Sequence, residues 1–217
     1  MKSFDLSLYL VLDPDLCGGP EGMLRTARLA AEQGASMVQL RAPRWKKRQW
    51  LETARALKEV LDPLGVPLII NDHADIALAV DAAGVHVGQA DLPPETVRRL
   101  IGPGKLLGLS ISNAGQLAAS VLDGVDYVGV GPVYPTGTKL DAAPVLGLAA
   151  FATLRGAIER PVVAIGGIQS GACAPLIAAG AQGVAVISAI CGRPDVAAAT
   201  RGLRQEIDAA LEQLRDL

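Results

Sequence analysis

Eight short apolar runs recur along the chain, and their alternation with helical stretches constrains the fold more than any other feature. The runs fall at residues 8–12, 37–40, 66–70, 84–87, 106–109, 126–130, 162–165 and 183–187. Stretches with apolar residues at helical spacing follow them at 20–33, 50–61, 74–80, 93–101, 114–122, 148–158, 172–178 and 194–214. Leu24, Ala27 and Ala31 share a face in the first stretch; Val196, Ala199, Leu203, Ile207, Ala210 and Leu214 share one in the last. Gly34 and Pro63 stop two of the helices, and prolines open the one at 93–101. Short continuous apolar strands are buried on both faces, as in a parallel sheet wrapped by helices. Eight strand–helix units predict an α/β protein, a single-domain (β/α)8 TIM barrel over residues 1–217. A doubly wound open sheet needs a Gly-rich turn after its first strand, and Leu12-Asp13-Pro14-Asp15 is not one.

Composition narrows the function classes. Half the residues are hydrophobic but only 3% are aromatic, so the core is aliphatic and no base-stacking platform is available. The 20 basic and 22 acidic residues leave a net charge of −2, which argues against a nucleic-acid partner. Cys17, Cys173 and Cys191 have no metal-like spacing, and their odd number points to a reducing compartment. The apolar run before Asp13 is too short for a secretory signal. The nearly uncharged stretch 172–190 is divided by Pro175, Gly180, Gln182 and Gly183, and reads as a buried helix and strand, not a membrane span. A cytoplasmic enzyme acting on small molecules is expected, with no membrane partner and with a homo-oligomer left open.

In a barrel the chemistry lies at the C-terminal ends of the strands, and polar residues fall there in nearly every unit. Gln39 and Arg41 end the second run, Asn71 and Asp72 the third, and His86, Gln89 and Asp91 follow from the fourth. Ser110 and Ser112 end the fifth, Gly166 and Gly167 the seventh, and Ile187 and Ser188 the eighth. After the sixth comes Gly129-Val130-Gly131-Pro132-Val133-Tyr134-Pro135-Thr136-Gly137-Thr138-Lys139. Its glycines admit close backbone approach, Thr136 and Thr138 offer hydroxyls, and Lys139 offers a mobile charge. No residue of this segment is expected to be needed for closing the core.

Each residue also has a bland reading. Arg41 with Arg44, Lys46, Lys47 and Arg48 is a solvated basic patch; Asn71-Asp72 and Asp91 are helix caps; His86 is a core histidine; Ser110, Ser188 and the glycine pair are turn residues. Their convergence on one rim favours chemistry. Asp72 and Asp91 are hard oxygen ligands suited to a Mg²⁺ that keeps waters and meets phosphate oxygens. Arg41 and Lys139 complement a diphosphate, while the ends of the seventh and eighth runs match a phosphate site made of backbone N–H groups. With no Cys or Ser–His nucleophile pair, the inventory favours transfer by leaving-group departure.

Taken together, Val38-Gln39-Leu40-Arg41, Ile70-Asn71-Asp72, Gly84-Val85-His86-Val87-Gly88-Gln89 with Asp91-Leu92-Pro93, Gly108-Leu109-Ser110, the 129–139 segment, Ala164-Ile165-Gly166-Gly167-Ile168 and Val186-Ile187-Ser188-Ala189-Ile190 resemble, in order, the motifs of the thiamine phosphate synthase family. The resemblance implies transfer of a pyrimidinylmethyl group from 4-amino-2-methyl-5-hydroxymethylpyrimidine diphosphate to a thiazole phosphate or its carboxylated precursor. It implies Mg²⁺ on Asp72 and Asp91. Gln39, Arg41, Asn71, Ser110 and Lys139 would hold the pyrimidine diphosphate, with Arg41, Lys139 and Ser110 as the catalytic groups. Thr136, Thr138, Gly166, Gly167, Ile187 and Ser188 would hold the thiazole phosphate. The family mechanism is dissociative: diphosphate leaves, and the thiazole nitrogen captures the pyrimidine-stabilised cation. Three positions depart from the family pattern, with Pro43 in place of a Lys, His73 in place of an Arg and Ser112 in place of a His. A related thiazole tautomerase branch tends to lose the metal carboxylates, which this chain keeps; a non-catalytic thiazole phosphate-binding homologue is favoured only by Pro43.

Overall fold

The computed structural model describes residues 4–138 and 143–215. Eight parallel strands close into a barrel in chain order: β1 (Leu8–Leu12), β2 (Met37–Leu40), β3 (Leu68–Asn71), β4 (Gly84–Val87), β5 (Leu106–Ile111), β6 (Tyr127–Val130), β7 (Val162–Ile165) and β8 (Gly183–Val186). A one-turn helix α1 (Pro14–Cys17) leads into α2 (Pro20–Glu32). One helix then follows each strand: α3 (Lys47–Leu61), α4 (Ala74–Ala79), α5 (Pro94–Ile101), α6 (Ala114–Ala119), α7 (Gly147–Gly156), α8 (Cys173–Ala178) and α9 (Val196–Arg215). Pairing of Leu8 with Val184 joins β1 to β8, so the sheet has no edge. The expected (β/α)8 barrel is the fold observed.

The strands are buried on both faces, but the faces do different work. Side chains alternate along a strand. In β1, Leu8, Leu10 and Leu12 point outward to the helices, while Tyr9 and Val11 point into the barrel. The same phase sends Leu107, Leu109 and Ile111 out and Leu106 in, and Val128 and Val130 out and Tyr127 in. Outside, the helices add Met23, Trp50, Leu57, Phe151, Leu203 and Ile207 to one continuous apolar layer. Each such side chain contributes roughly 1.5–3 kcal/mol by leaving water.

Element ends move where local chemistry intervenes. Pro67 has no N–H for the ladder, so the third strand starts at Leu68 and not at residue 66. Asp126 stays out of β6 because its carboxylate accepts from Arg98 (2.7 Å) and from the Leu107 N–H (2.8 Å). Arg98 also donates to the carbonyls of Gly102, Lys105 and Gly124, fastening the barrel's N-terminal face. The helix after β5 ends at Ala119, with Ser120 turning extended, short of residue 122.

The loop after β6 corrects an expectation. Val133 is fully buried, and its N–H donates to the Ile165 carbonyl at 2.9 Å. The Tyr134 N–H donates to the Gly166 carbonyl, so this segment adds two links beyond the end of β6. Its first half closes the core over β7.

Candidate active site

The inward phase of each strand determines what its C-terminal end presents to the mouth of the barrel. Gln39 on β2, Asn71 on β3, His86 on β4 and Ser110 on β5 are inward positions of this kind, and Gly129 continues the series on β6. They surround one cavity of about 1030 Å³, counted with its open mouth. Arg41, Thr136 and Thr138 line it, as do Gly166, Gly167, Ile187 and Ser188. Every expected substrate contact among the described residues therefore shares one cavity. Lys139 lies outside the described residues.

The floor of the cavity is built from residues that strand ends alone do not reveal. Tyr9, Val11, Val163 and Ala185 form it, with His86 at its side. His86 is the core histidine that was expected: it is 8% exposed, Nδ1 lies 3.1 Å from Tyr127 Oη and Nε2 lies 2.8 Å from Ser110 Oγ. It is also a wall of the cavity, and with Ser110 it forms a hydrogen-bonded Ser–His pair, which corrects the expectation that the chain has none; strands β4 and β5 bring together two residues that lie 24 apart in sequence. Gln89 ties the β4–α5 loop to β5 by donating to the Ser110 carbonyl at 2.8 Å.

The two carboxylates, Asp72 and Asp91, are both half-buried and are not among the residues that line the cavity. Neither is a helix cap. Position His73 precedes α4 and makes no side-chain cap, and Pro93 does the same for α5. Asp72 instead adopts a left-handed backbone (φ 61°), its N–H donating to the His86 carbonyl at 2.8 Å. Such a conformation costs a non-glycine residue of order 1–3 kcal/mol and is commonest where a site imposes it. Asp91 Oδ2 accepts from the Gly88 N–H at 2.7 Å, which turns the β4–α5 loop back on itself. Among the described residues no group of three or more His, Cys, Asp or Glu is gathered. A pair of hard carboxylates without a full protein cage suits Mg²⁺ completed by water and phosphate oxygens, and does not suit a structural zinc.

The opposite side is built from backbone. Gly166 and Gly167 have φ of 100° and 67°. A Cβ on Gly167 would stand 2.4 Å from the Pro135 carbonyl oxygen, so glycine is required for the loop after β6 to lie against β7. The turn reading of this pair is borne out, and the same residues that pack the loop also line the cavity. Thr136 and Thr138 hydroxyls lie 3.0 Å apart, and Gln169 Nε2 donates to Ser188 Oγ at 3.1 Å.

The basic patch divides. Arg41 lines the cavity, whereas Arg44 pairs with Asp15 and Lys47 donates to Asp75 at 2.8 Å. Those two pairs are exposed and contribute little to stability. Two of the cations that stand near Pro43 are thus engaged outside the cavity. His73 packs edge-on against Trp50, and burial together with nearby Lys47 pushes its pKa down.

Comparison with known proteins extends these observations. The Thiamine monophosphate synthase family profile matches residues 8–190. A thiamine-phosphate synthase from Laribacter hongkongensis is 57% identical over 202 residues, spanning 93% of this chain and 95% of the relative. One from Xanthobacter autotrophicus is 50% identical, spanning 96% and 99%. Among solved structures, a thiamine phosphate pyrophosphorylase from Pyrococcus furiosus superposes with a TM-score of 0.85 at 34% identity, covering 95% of this chain and 97% of that one.

Proposed function

The chain belongs to the thiamine monophosphate synthase family, and from that premise we propose how its rim performs the reaction. It is a transferase of thiamine biosynthesis that makes thiamine phosphate. The reaction joins 4-amino-2-methyl-5-hydroxymethylpyrimidine diphosphate to the thiazole phosphate or its carboxylated precursor. In this reading Gln39, Asn71 and Ser110 orient the pyrimidine diphosphate, and Arg41 and Lys139 face its phosphates. Asp72 and Asp91 would hold Mg²⁺, which would supply charge neutralisation for the diphosphate. Thr136, Thr138, Gly166, Gly167, Ile187 and Ser188 receive the thiazole phosphate.

The proposed chemistry is dissociative. The C–O bond to diphosphate breaks with its electron pair leaving on oxygen, and the thiazole nitrogen supplies the pair that forms the new C–N bond. The protein's contribution is orientation and charge complementarity. No protein nucleophile is required. Arg41 and Lys139 stabilise the departing anion, and the closed floor of Tyr9, Val11, Val163 and Ala185 shields the cation from water. The observation that carries this reading is the single cavity in which Gln39, Arg41, Asn71 and Ser110 face Thr136, Thr138, Gly166, Gly167 and Ser188. No described helix is long and apolar enough to cross a membrane, and the setting proposed is the cytoplasm. The test is a coupled assay of the purified protein with both substrates and Mg²⁺. Thiamine phosphate and diphosphate in equal amounts are expected; absence of thiamine phosphate would overturn the reading.

A further inference from the structure

Barrel interiors are ordinarily filled by branched aliphatic side chains, but here a continuous polar path crosses the floor of the cavity. Gln39 Nε2 donates to Tyr9 Oη at 2.7 Å, and Tyr9 Oη lies 2.9 Å from Tyr127 Oη. Tyr127 Oη is 3.1 Å from His86 Nδ1, and His86 Nε2 is 2.8 Å from Ser110 Oγ. Both ends of the path, Gln39 and Ser110, line the cavity, while Tyr9 and Tyr127 are 1% and 0% exposed. The path is built into the backbone. A Cβ on Gly108 would stand 2.3 Å from the Tyr127 ring and 2.4 Å from His86 Nδ1, so only glycine there leaves room for the pair.

Counting protons gives the path a direction. Burial raises the pKa of both phenols, so each keeps its single proton and donates once. Tyr9 Oη accepts from Gln39 and therefore donates to Tyr127. Tyr127 in turn donates to His86 Nδ1. A neutral ring that accepts at Nδ1 carries its proton on Nε2 and donates to Ser110 Oγ. The Ser110 hydroxyl proton is then directed to the cavity. The opposite direction would have Tyr9 Oη accept from both Gln39 and Tyr127, stranding its own proton in a dry interior.

We propose that Tyr9, Tyr127 and His86 are positioning residues: a one-way hydrogen-bond chain, set by the Gln39 amide, holds His86 as its Nε2–H tautomer and makes Ser110 a hydrogen-bond donor to the substrate. The consequence is paired selection. With Nε2 committed to Tyr9, Gln39 offers its carbonyl oxygen to a donating group, and Ser110 offers its proton to an accepting one. This rests on the reading of Gln39 and Ser110 as substrate contacts.

The first test needs no activity. The chain has two histidines, His73 and His86, so a long-range ¹H–¹⁵N correlation spectrum of the ligand-free protein at neutral pH reads the tautomer, with His73→Asn for assignment. The Nε2–H form of His86 is expected. An Nδ1–H form or an imidazolium would overturn the chain without touching the proposed reaction. The second test is kinetic. Tyr127→Phe keeps the ring and removes the donor, and kcat should fall about tenfold. Acting through Ser110, it should add nothing to Ser110→Ala, so the double variant should be no slower than Ser110→Ala alone. Independent, multiplying losses would indicate a merely structural role and overturn the proposal. Tyr9→Phe breaks the chain one link earlier and enters the same cycle if Tyr127→Phe folds poorly.

Discussion

At the β2–β4 side of the rim the polar atoms belong to side chains; at the β6–β8 side they belong largely to the backbone and to small hydroxyls. The charges of Arg41, Asp72 and Asp91 sit on side chains that can each be exchanged for an uncharged relative of similar size. Gly166 and Gly167 have no such freedom, because the loop after β6 lies directly on them. Charge on one side is separable from fold. On the other side the surface that would meet a phosphate is itself the packing between β6 and β7. One half of the site is therefore exposed to single substitutions in function only, and the other half in function and stability together.

Several substitutions sharpen or break this contrast. Asp72→Asn and Asp91→Asn should each lower kcat about a thousandfold with an unchanged unfolding transition. Asn tolerates the left-handed conformation at position 72, and its carbonyl oxygen at position 91 still accepts from Gly88. A large loss of thermal stability in either variant would erase the distinction between the two sides. Lys139→Ala should slow diphosphate departure about a hundredfold in single-turnover measurements; wild-type kinetics there would remove Lys139 from the mechanism. Gly167→Ala should cost about 2 kcal/mol and lower Tm by about 4–8 °C, while also raising KM for the thiazole phosphate. A variant with normal Tm and weakened binding would show that the backbone side, too, separates fold from function. The smallest effect is expected for Ser188→Ala, roughly a fivefold rise in KM for the thiazole phosphate with kcat retained.

The alternation of apolar runs carried the barrel, because each strand and helix reveals itself within a dozen residues. It also carried the rim, since Arg41, Asn71, Ser110 and Ser188 sit where a run stops. What it did not carry is the phase of each strand. Tyr9 lies in an uninterrupted apolar run, and nothing local distinguishes it from Leu8 or Leu10. Its hydrogen-bond partner Tyr127 is 118 residues away, so the interior path becomes visible only when the barrel closes. The cap readings of Asp72 and Asp91 fail for a related reason. Both residues precede helices at plausible spacing, but Asp72 is fixed by the neighbouring β4 backbone and Asp91 by its own loop. Reading the whole 129–139 segment by its glycines and hydroxyls misjudged Val133, whose burial is decided by β7.

The fastening of the loop after β6 has one more consequence. Its base is closed from both directions: Leu146 donates to the Pro132 carbonyl at 2.9 Å and Gly147 to that of Val133 at 3.0 Å. The chain thus departs from and returns to the same pair of residues, and the cost of closing the intervening stretch varies only slowly with its length. A change of length confined to the stretch between Thr138 and Ala143 should therefore cost little stability and leave β6 and β7 in register, because both ends of the loop are held at Pro132 and Val133.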